Sequence, residues 1–149
     1  MSVTPKLSLA VQYASTAQNL PSRTQLRRWL RAALEHDAQI ALRIVDEMEG
    51  RALNRDFRGK DYATNVLTFV YDEREPLHAD VVLCAPVMEK EAREQRKDVL
   101  AHYAHLAIHA ALHLQGSGHD NDADATLMEA RETAILQKLG YADPYVVAQ

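Results

Sequence analysis

His109, His113 and His119 are the residues whose types and spacing point most directly to chemistry in this chain. Residues four apart on an α-helix lie one above the other on a single face. His109 and His113 therefore present both imidazoles to one side, with Ala110, Ala111, Leu112 and Leu114 forming the apolar remainder of that helix. Gly116 offers an exit through the left-handed region that a side chain disfavours. Gly118 keeps the exit compact, and His119 can then swing back toward the first two rings. Three neutral imidazoles converging on one point, with room for a water, predict a catalytic site for one zinc per chain, or for another divalent transition metal. A histidine pair alone is more often packing than ligation; the third histidine after two glycines is what separates the two. A structural metal site would need a fourth ligand, and only Asp120 or Asp122 is near enough in sequence to supply it.

The rest of the chain has to hold that constellation. At 149 residues, 47% hydrophobic and 26% charged, it has the size and composition of one globular domain with a real core. No charged leader followed by an apolar run is visible, nor any apolar stretch of membrane-spanning length, so no membrane partner is expected. The single cysteine, Cys84, excludes an internal disulfide framework and agrees with a reducing, cytoplasmic setting. The formal net charge of -4 argues against indiscriminate nucleic-acid binding. Its distribution is uneven: residues 1–60 carry ten Lys and Arg against six Asp and Glu, whereas residues 61–149 carry seven against fifteen. One basic patch on an acidic body is the expectation.

Leu7, Leu9, Val11 and Tyr13 alternate with smaller or polar residues and predict a first strand. Ser22 and Gln25 form a capping box ahead of an apolar helical stripe of Leu26, Trp29, Leu30, Ala33 and Leu34. Arg23, Arg27, Arg28 and Arg31 lie largely on other sides, where solvation of the helix is favoured over a nucleic-acid contact. Ile40, Leu42 and Ile44 give a second strand, and a parallel crossover should join it to the first. A short helix over Asp46–Asn54 should face Met48, Ala52 and Leu53 inward, followed by a basic turn at Arg55–Lys60. Third and fourth strands are expected at Val66–Val70 and Ala79–Ala85, with a helix starting near Pro86. The histidine helix follows, capped by Asp98. A final helix opens at Asn121 or Asp122, packs through Leu127, Met128, Ile135, Leu136 and Leu139, and ends at Gly140. The predicted fold is a single α/β (α+β) domain over residues 1–149. About four strands form a mostly parallel mixed sheet, with one edge antiparallel, beside four to five helices. The metal site sits on a helix and the glycine turn after it.

The spacing of His109, His113, Gly116 and His119 resembles the extended zinc motif of metzincin peptidases. Those enzymes place a glutamate beside the first histidine as general base. Here Ala110 stands in that position, and a methyl group can neither take a proton nor hold a water in line. The metal centre survives this change; the peptidase mechanism does not.

A second resemblance covers nearly the whole chain beyond Ile40. Leu53–Phe69, read as Leu-Asn-Arg-Asp-Phe-Arg-Gly-Lys-Asp-Tyr-Ala-Thr-Asn-Val-Leu-Thr-Phe, resembles the signature of the YbeY family. The pattern His102, His105, His109, His113 and His119, then an acidic helix and Leu139-Gly140-Tyr141, is similar as well. The resemblance implies a bacterial, metal-dependent, single-strand-specific endoribonuclease, usually described as a zinc enzyme. It also implies a place in maturation of the small-subunit ribosomal RNA 3′ end and in ribosome quality control. Single-stranded RNA, ribosomal RNA and the small ribosomal subunit are then the implied partners, while oligomeric state stays unset. Carried onto this chain, the family's ligands fall on His109, His113 and His119, and its signature arginine on Arg58. That guanidinium could neutralise a phosphate beside the metal. This sequence departs from the family's glycine after the first ligand (Ala110) and from its Tyr-Asp before the third (Ser117, Gly118). Its Ser and Pro around the third strand are Thr68 and Val70 here.

Arg55 and Lys60 are expected to guide the RNA backbone. His102 and His105 are expected either to orient substrate or support the ligands, or simply to be packed. His36 and His78 read as solvated surface residues, and Thr64 and Asn65 as turn formers whose side chains satisfy backbone groups. Two further functions compete with the nuclease: a metal-dependent hydrolase of another substrate, and a non-catalytic ribosome-biogenesis factor with a structural metal.

Overall fold

The computed structural model describes residues 4–116 and 121–146. Four strands form one sheet in the order β1-β2-β4-β3: β1 (Leu7–Ala14), β2 (Ala38–Val45), β3 (Val66–Asp72) and β4 (Leu77–Cys84). The pairs β1·β2 and β2·β4 are parallel, and β3 runs antiparallel to β4 as one edge. Five helices stand beside it among the described residues: α1 (Arg23–Ala33), α2 (Glu47–Arg58), α3 (Ala85–Glu94), α4 (Val99–Leu114) and α5 (Asp122–Lys138). The expected strand set, parallel opening and antiparallel edge are all present.

The period-2 pattern decides the two faces of the sheet. Leu7 and Val11 of β1, Ile40, Leu42 and Ile44 of β2, and Ala79, Val81 and Leu83 of β4 are buried in one cluster with Leu26, Trp29 and Leu30 of α1 and with α4. Ten of the sixteen α4 residues are buried, so it is a core helix clad by sheet, α1, α3 and α5. The opposite face carries a smaller cluster of Val45, Leu67, Val82 and Cys84, covered partly by Leu53 of α2. Cys84 is buried there, and burial pushes its thiol pKa up, as expected of an inert core residue.

The capping box holds as read: Gln25 N–H donates to Ser22 Oγ at 3.1 Å, and Ser22 N–H to Gln25 Oε1 at 2.9 Å. Asp98 caps α4 and Asn121 caps α5. Two arginines of α1 do more than solvate. Arg27 Nη2 donates to Leu7 O at 2.8 Å and Arg23 Nη2 to Val11 O at 3.3 Å, occupying carbonyls on the edge strand β1.

Three expectations need correction. Helix α2 does not stop at Asn54 but continues to Arg58, so Arg55–Arg58 is its last turn and the loop begins at Gly59, whose φ is 70°. Basic residues at a helix C-terminus complement its dipole, and Gly59 takes the left-handed conformation that ends it. Met48 does not face inward; it is 86% exposed because Gly50 and Asn54, not Met48, form the buried stripe of α2. Leu127 is likewise 61% exposed, while Met128, Glu132 and Leu136 make the buried stripe of α5.

Gly50 fixes how closely α2 approaches the sheet. A Cβ there would meet Cys84 Sγ at 3.1 Å, and Cys84 Cβ and Val45 Cγ2 at 3.5 Å. Gly50→Ala gains about 1 kcal/mol of helix propensity, against about 1–3 kcal/mol for overpacking. A net loss of up to about 2 kcal/mol in denaturant unfolding is expected from these opposed terms. Adding Cys84→Ala should recover part of it, because the two positions touch and their effects are not additive. Full additivity would show that α2 yields without cost.

Candidate active site

The site is built where α4 passes the edge strand β3. The four residues Ala101, His105, His109 and His113 stand four apart, and from Ala101 to Leu114 they are the residues of α4 that are not buried. This stripe is the open side of an otherwise enclosed helix. His109 and His113 lie on it with parallel rings, 1° apart in plane and 6.4 Å between centroids. Both rings line a cleft of about 440 Å³ with Arg58 from the end of α2, Thr64 and Asn65, and Val66, Leu67 and Thr68 of β3. A second cavity shares Thr68 and His113 and extends past Val70, Leu114 and Gly116 toward His36, Glu73 and Glu75. The cleft thus has a basic end at Arg58 and an acidic continuation.

Arg58 therefore meets the histidine pair across the cleft, although the two lie far apart in sequence. Arg55 and Lys60 are exposed and lie outside the cleft lining, with Arg55 Nε donating to Asp56 Oδ1 at 3.2 Å. Ala110, the position of the peptidase glutamate, is fully buried in the core. A carboxylate there would not have reached the cleft, so that position offers no general base.

Behind the stripe lies a polar layer that sequence reasoning missed. Glu132 of α5 is only 1% exposed, yet its carboxylate is fully engaged. Oε2 is 3.1 Å from His109 Nδ1, and Oε1 is 2.5 Å from His105 Nε2 and accepts from Tyr145 Oη at 2.7 Å. Burial alone would push this carboxyl up, but hydrogen bonds from His105, His109 and Tyr145 outweigh it and hold the pKa at about 2. Burial pushes the His105 pKa down, against the upward pull of the Glu132 carboxylate. With an ionised carboxylate on His109 Nδ1, that nitrogen carries the proton and Nε2 is the nitrogen suited to ligation.

His102 is buried, with Nε2 2.8 Å from Glu91 Oε1 of α3. Asn65 Nδ2 donates to the same carboxylate at 3.0 and 3.3 Å, so Asn65 ties the cleft wall to α3 rather than satisfying a turn. His102 and His105 are each tied to a carboxylate, His102 buried and His105 on the open stripe, and neither lines the cleft. Their rings meet edge to face at 6.1 Å. The signal that could have found Glu132 was its position: Met128, Glu132 and Leu136 fall on one helical face, where a carboxylate between two core residues demands partners.

Asn54 is the buried anchor of the α2 end. Its Nδ2 donates to Tyr62 O at 2.7 Å, and Lys60 N–H to its backbone carbonyl at 3.3 Å, folding the loop after Arg58 against the helix. Gln115 does the same for α4, donating to Ala33 O and Ala111 O at 2.8 Å and accepting from Glu35 N–H at 2.7 Å. The chain thus enters the glycine turn from a fixed point, with Gly116 at φ 100° as the left-handed exit expected of it.

The donor set fits a transition metal. Two imidazoles on one face, one of them oriented by a buried carboxylate, is the pattern of histidine ligation with its supporting anion. His119, the third expected ligand, lies outside the described residues with Ser117 and Gly118, and among the described residues no group of three ligands is assembled.

A mixed α/β domain with imidazoles set against an arginine in an open cleft suits chemistry on an anionic substrate. A family model, endoribonuclease YbeY, matches residues 11–140. An endoribonuclease YbeY of Nitrosospira multiformis is 59% identical, covering 94% of this chain and 82% of its own length. That of Thiobacillus denitrificans is also 59% identical, over 95% and 97%, and that of Nitrosomonas eutropha is 55% identical, over 95% and 100%. A solution structure of a Thermotoga maritima protein superposes with a TM-score of 0.64 at 24% identity, over 88% of both chains, a likeness of fold. This chain belongs to the endoribonuclease YbeY family.

Proposed function

We propose that this protein is a metal-dependent endoribonuclease that cleaves single-stranded RNA in maturation of the small-subunit ribosomal RNA 3′ end and in ribosome quality control. One zinc per chain would be held by His109, His113 and His119. The observation that carries the reading is the cleft that sets His109 and His113 opposite Arg58, in a chain whose relatives are named endoribonucleases. When bound, the ion would supply Lewis acidity and acidify water.

The chain's own groups account for the remainder. Arg58 binds a phosphodiester at the cleft mouth and stabilises the charge that grows on its nonbridging oxygens. Its placement on the exposed end of α2 lets the planar guanidinium present two parallel donors to a phosphate. Glu132 holds the proton on His109 Nδ1 and so orients that ring. Thr64 and Thr68 offer hydroxyls along the same wall, within the lining that a ribose-phosphate would touch. Arg55 and Lys60, exposed around the end of α2, extend the basic surface toward neighbouring phosphates, which makes binding salt-dependent. A flexible single strand can bend one phosphate into a cleft of this size, whereas a duplex holds its phosphates apart on a stiff helix.

No helix among the described residues is long and apolar enough to cross a membrane. In this reading the protein works in the cytoplasm, where it would meet ribosomal RNA and the small subunit.

The test is cleavage of end-labelled single-stranded RNA, a matching duplex and single-stranded DNA by the zinc-loaded protein, with product ends identified. Cutting of the single strand, suppressed by chelator and restored by zinc, is the expected result. A 2′,3′-cyclic phosphate would mark attack by the neighbouring 2′-hydroxyl, and a 5′-phosphate direct hydrolysis. A metal-loaded protein that cuts no RNA, even within small ribosomal subunits, would leave the binding factor as the better description.

A further inference from the structure

Glu132 is the most deeply buried charged group among the described residues, and its contact with His109 reaches beyond that one ring. It comes from α5, outside the two segments that carry the ligands and Arg58. One carboxylate oxygen is on His109 Nδ1, while the other is gripped by His105 Nε2 and Tyr145 Oη. We infer that Glu132 is the positioning residue of the metal centre. Clamped by His105 and Tyr145, it fixes the tautomer and orientation of His109 and thereby sets how tightly the chain holds its metal.

The geometry makes the assignment specific. A buried carboxylate accepts but does not donate, so both imidazoles must turn a protonated nitrogen toward it. His105 spends Nε2–H on Oε1, and His109 spends Nδ1–H on Oε2. The tyrosine hydroxyl, donated from the segment after α5, prevents Oε1 from rotating toward His109. The carboxylate is therefore held in one pose by three donors, two from α4 and one from the segment after α5. Among them only His109 also lines the cleft, so the constraint is delivered to that ring. Partners of this kind typically alter metal affinity by about 10–100-fold when removed. The reach extends to the C-terminal segment: Tyr145 belongs to the site through Glu132, although it contacts no candidate ligand in the described bonds.

This inference rests on the reading of His109 as a ligand, and the experiment separates the two. Zinc affinity would be measured by chelator competition for wild type, Glu132→Gln, Glu132→Ala, Tyr145→Phe and His109→Ala. Side-chain ¹⁵N shifts of His109 would be recorded without metal. Glu132→Gln preserves shape and gives a folded variant if the alanine does not fold. Affinity should fall about tenfold in Glu132→Gln and up to about a hundredfold in Glu132→Ala. Tyr145→Phe should fall between wild type and Glu132→Gln. The metal-free wild type should show a single His109 tautomer protonated at Nδ1, and the Glu132 variants a mixture. A purely structural role would lower thermal stability and leave the tautomer and zinc affinity alone. Unchanged affinity and an unchanged tautomer in folded Glu132→Gln would overturn the inference. If His109→Ala binds zinc as wild type does, the ligand assignment itself falls.

Discussion

Replacing His113 by alanine is expected to empty the metal site and end RNA cleavage while leaving the fold intact. His113 is exposed on the one open stripe of α4, so its truncation opens no core cavity. His109→Ala should lose metal equally but unfold more easily, because it strips Glu132 of one of its three donors inside the protein. Leaving a buried acceptor unsatisfied costs about 1–3 kcal/mol, more when it is charged. Loss of a direct ligand should exceed the roughly 10–100-fold affinity change typical of supporting residues. Metal analysis, cleavage and thermal unfolding of the two variants would check the pattern. Retained metal in both, or equal stability of the two, would contradict it.

Arg58→Ala is expected to behave in the opposite way, keeping the metal and losing rate. Its side chain lies on the exposed last turn of α2, where substitutions usually change stability by no more than about 0.5 kcal/mol. Removing a group that stabilises growing phosphoryl charge should lower cleavage roughly a hundredfold, equivalent to about 2.7 kcal/mol. Arg58→Lys should restore only part, since an ammonium keeps the charge but not the paired donors. Single-turnover cleavage with metal content measured alongside decides the matter. Wild-type rates in Arg58→Ala would remove Arg58 from the mechanism; loss of metal would make it a structural residue.

The difference between these two variants reflects what was legible in the sequence. The strands were legible because Ile40, Leu42 and Ile44 alternate with residues of the opposite face, and only an extended chain sorts a period-2 pattern into one buried side and one open side. The capping residues Ser22 and Asp98 marked two helix starts for the same local reason. The end of helix α2 is hard to read because Arg55–Arg58 looks polar and loop-like, whereas Gly59 is the local signal that the helix runs that far. Met48 and Leu127 face solvent against expectation, since a hydrophobic side chain at a helix start or beside the true stripe carries no mark of its orientation. The histidine pair could be put on one face by spacing alone. Its relation to Arg58 needed the family resemblance, because nothing local brings the end of α2 to the flank of α4. Glu132, Glu91 and Asn65 stayed hidden: polar residues read as surface until the elements pack, and their partners come from other helices.

The most direct measurement is anomalous X-ray diffraction from crystals grown with zinc, collected on both sides of the zinc absorption edge. The account predicts one strong peak per chain at the Arg58 end of the cleft, about 2.0–2.1 Å from imidazole nitrogens of His109, His113 and His119. The nitrogen contributed by His109 should be Nε2, with Nδ1 still on Glu132. A peak elsewhere, or a cleft that remains without one at saturating zinc while His119 points away, would contradict the metal centre on which the nuclease reading depends.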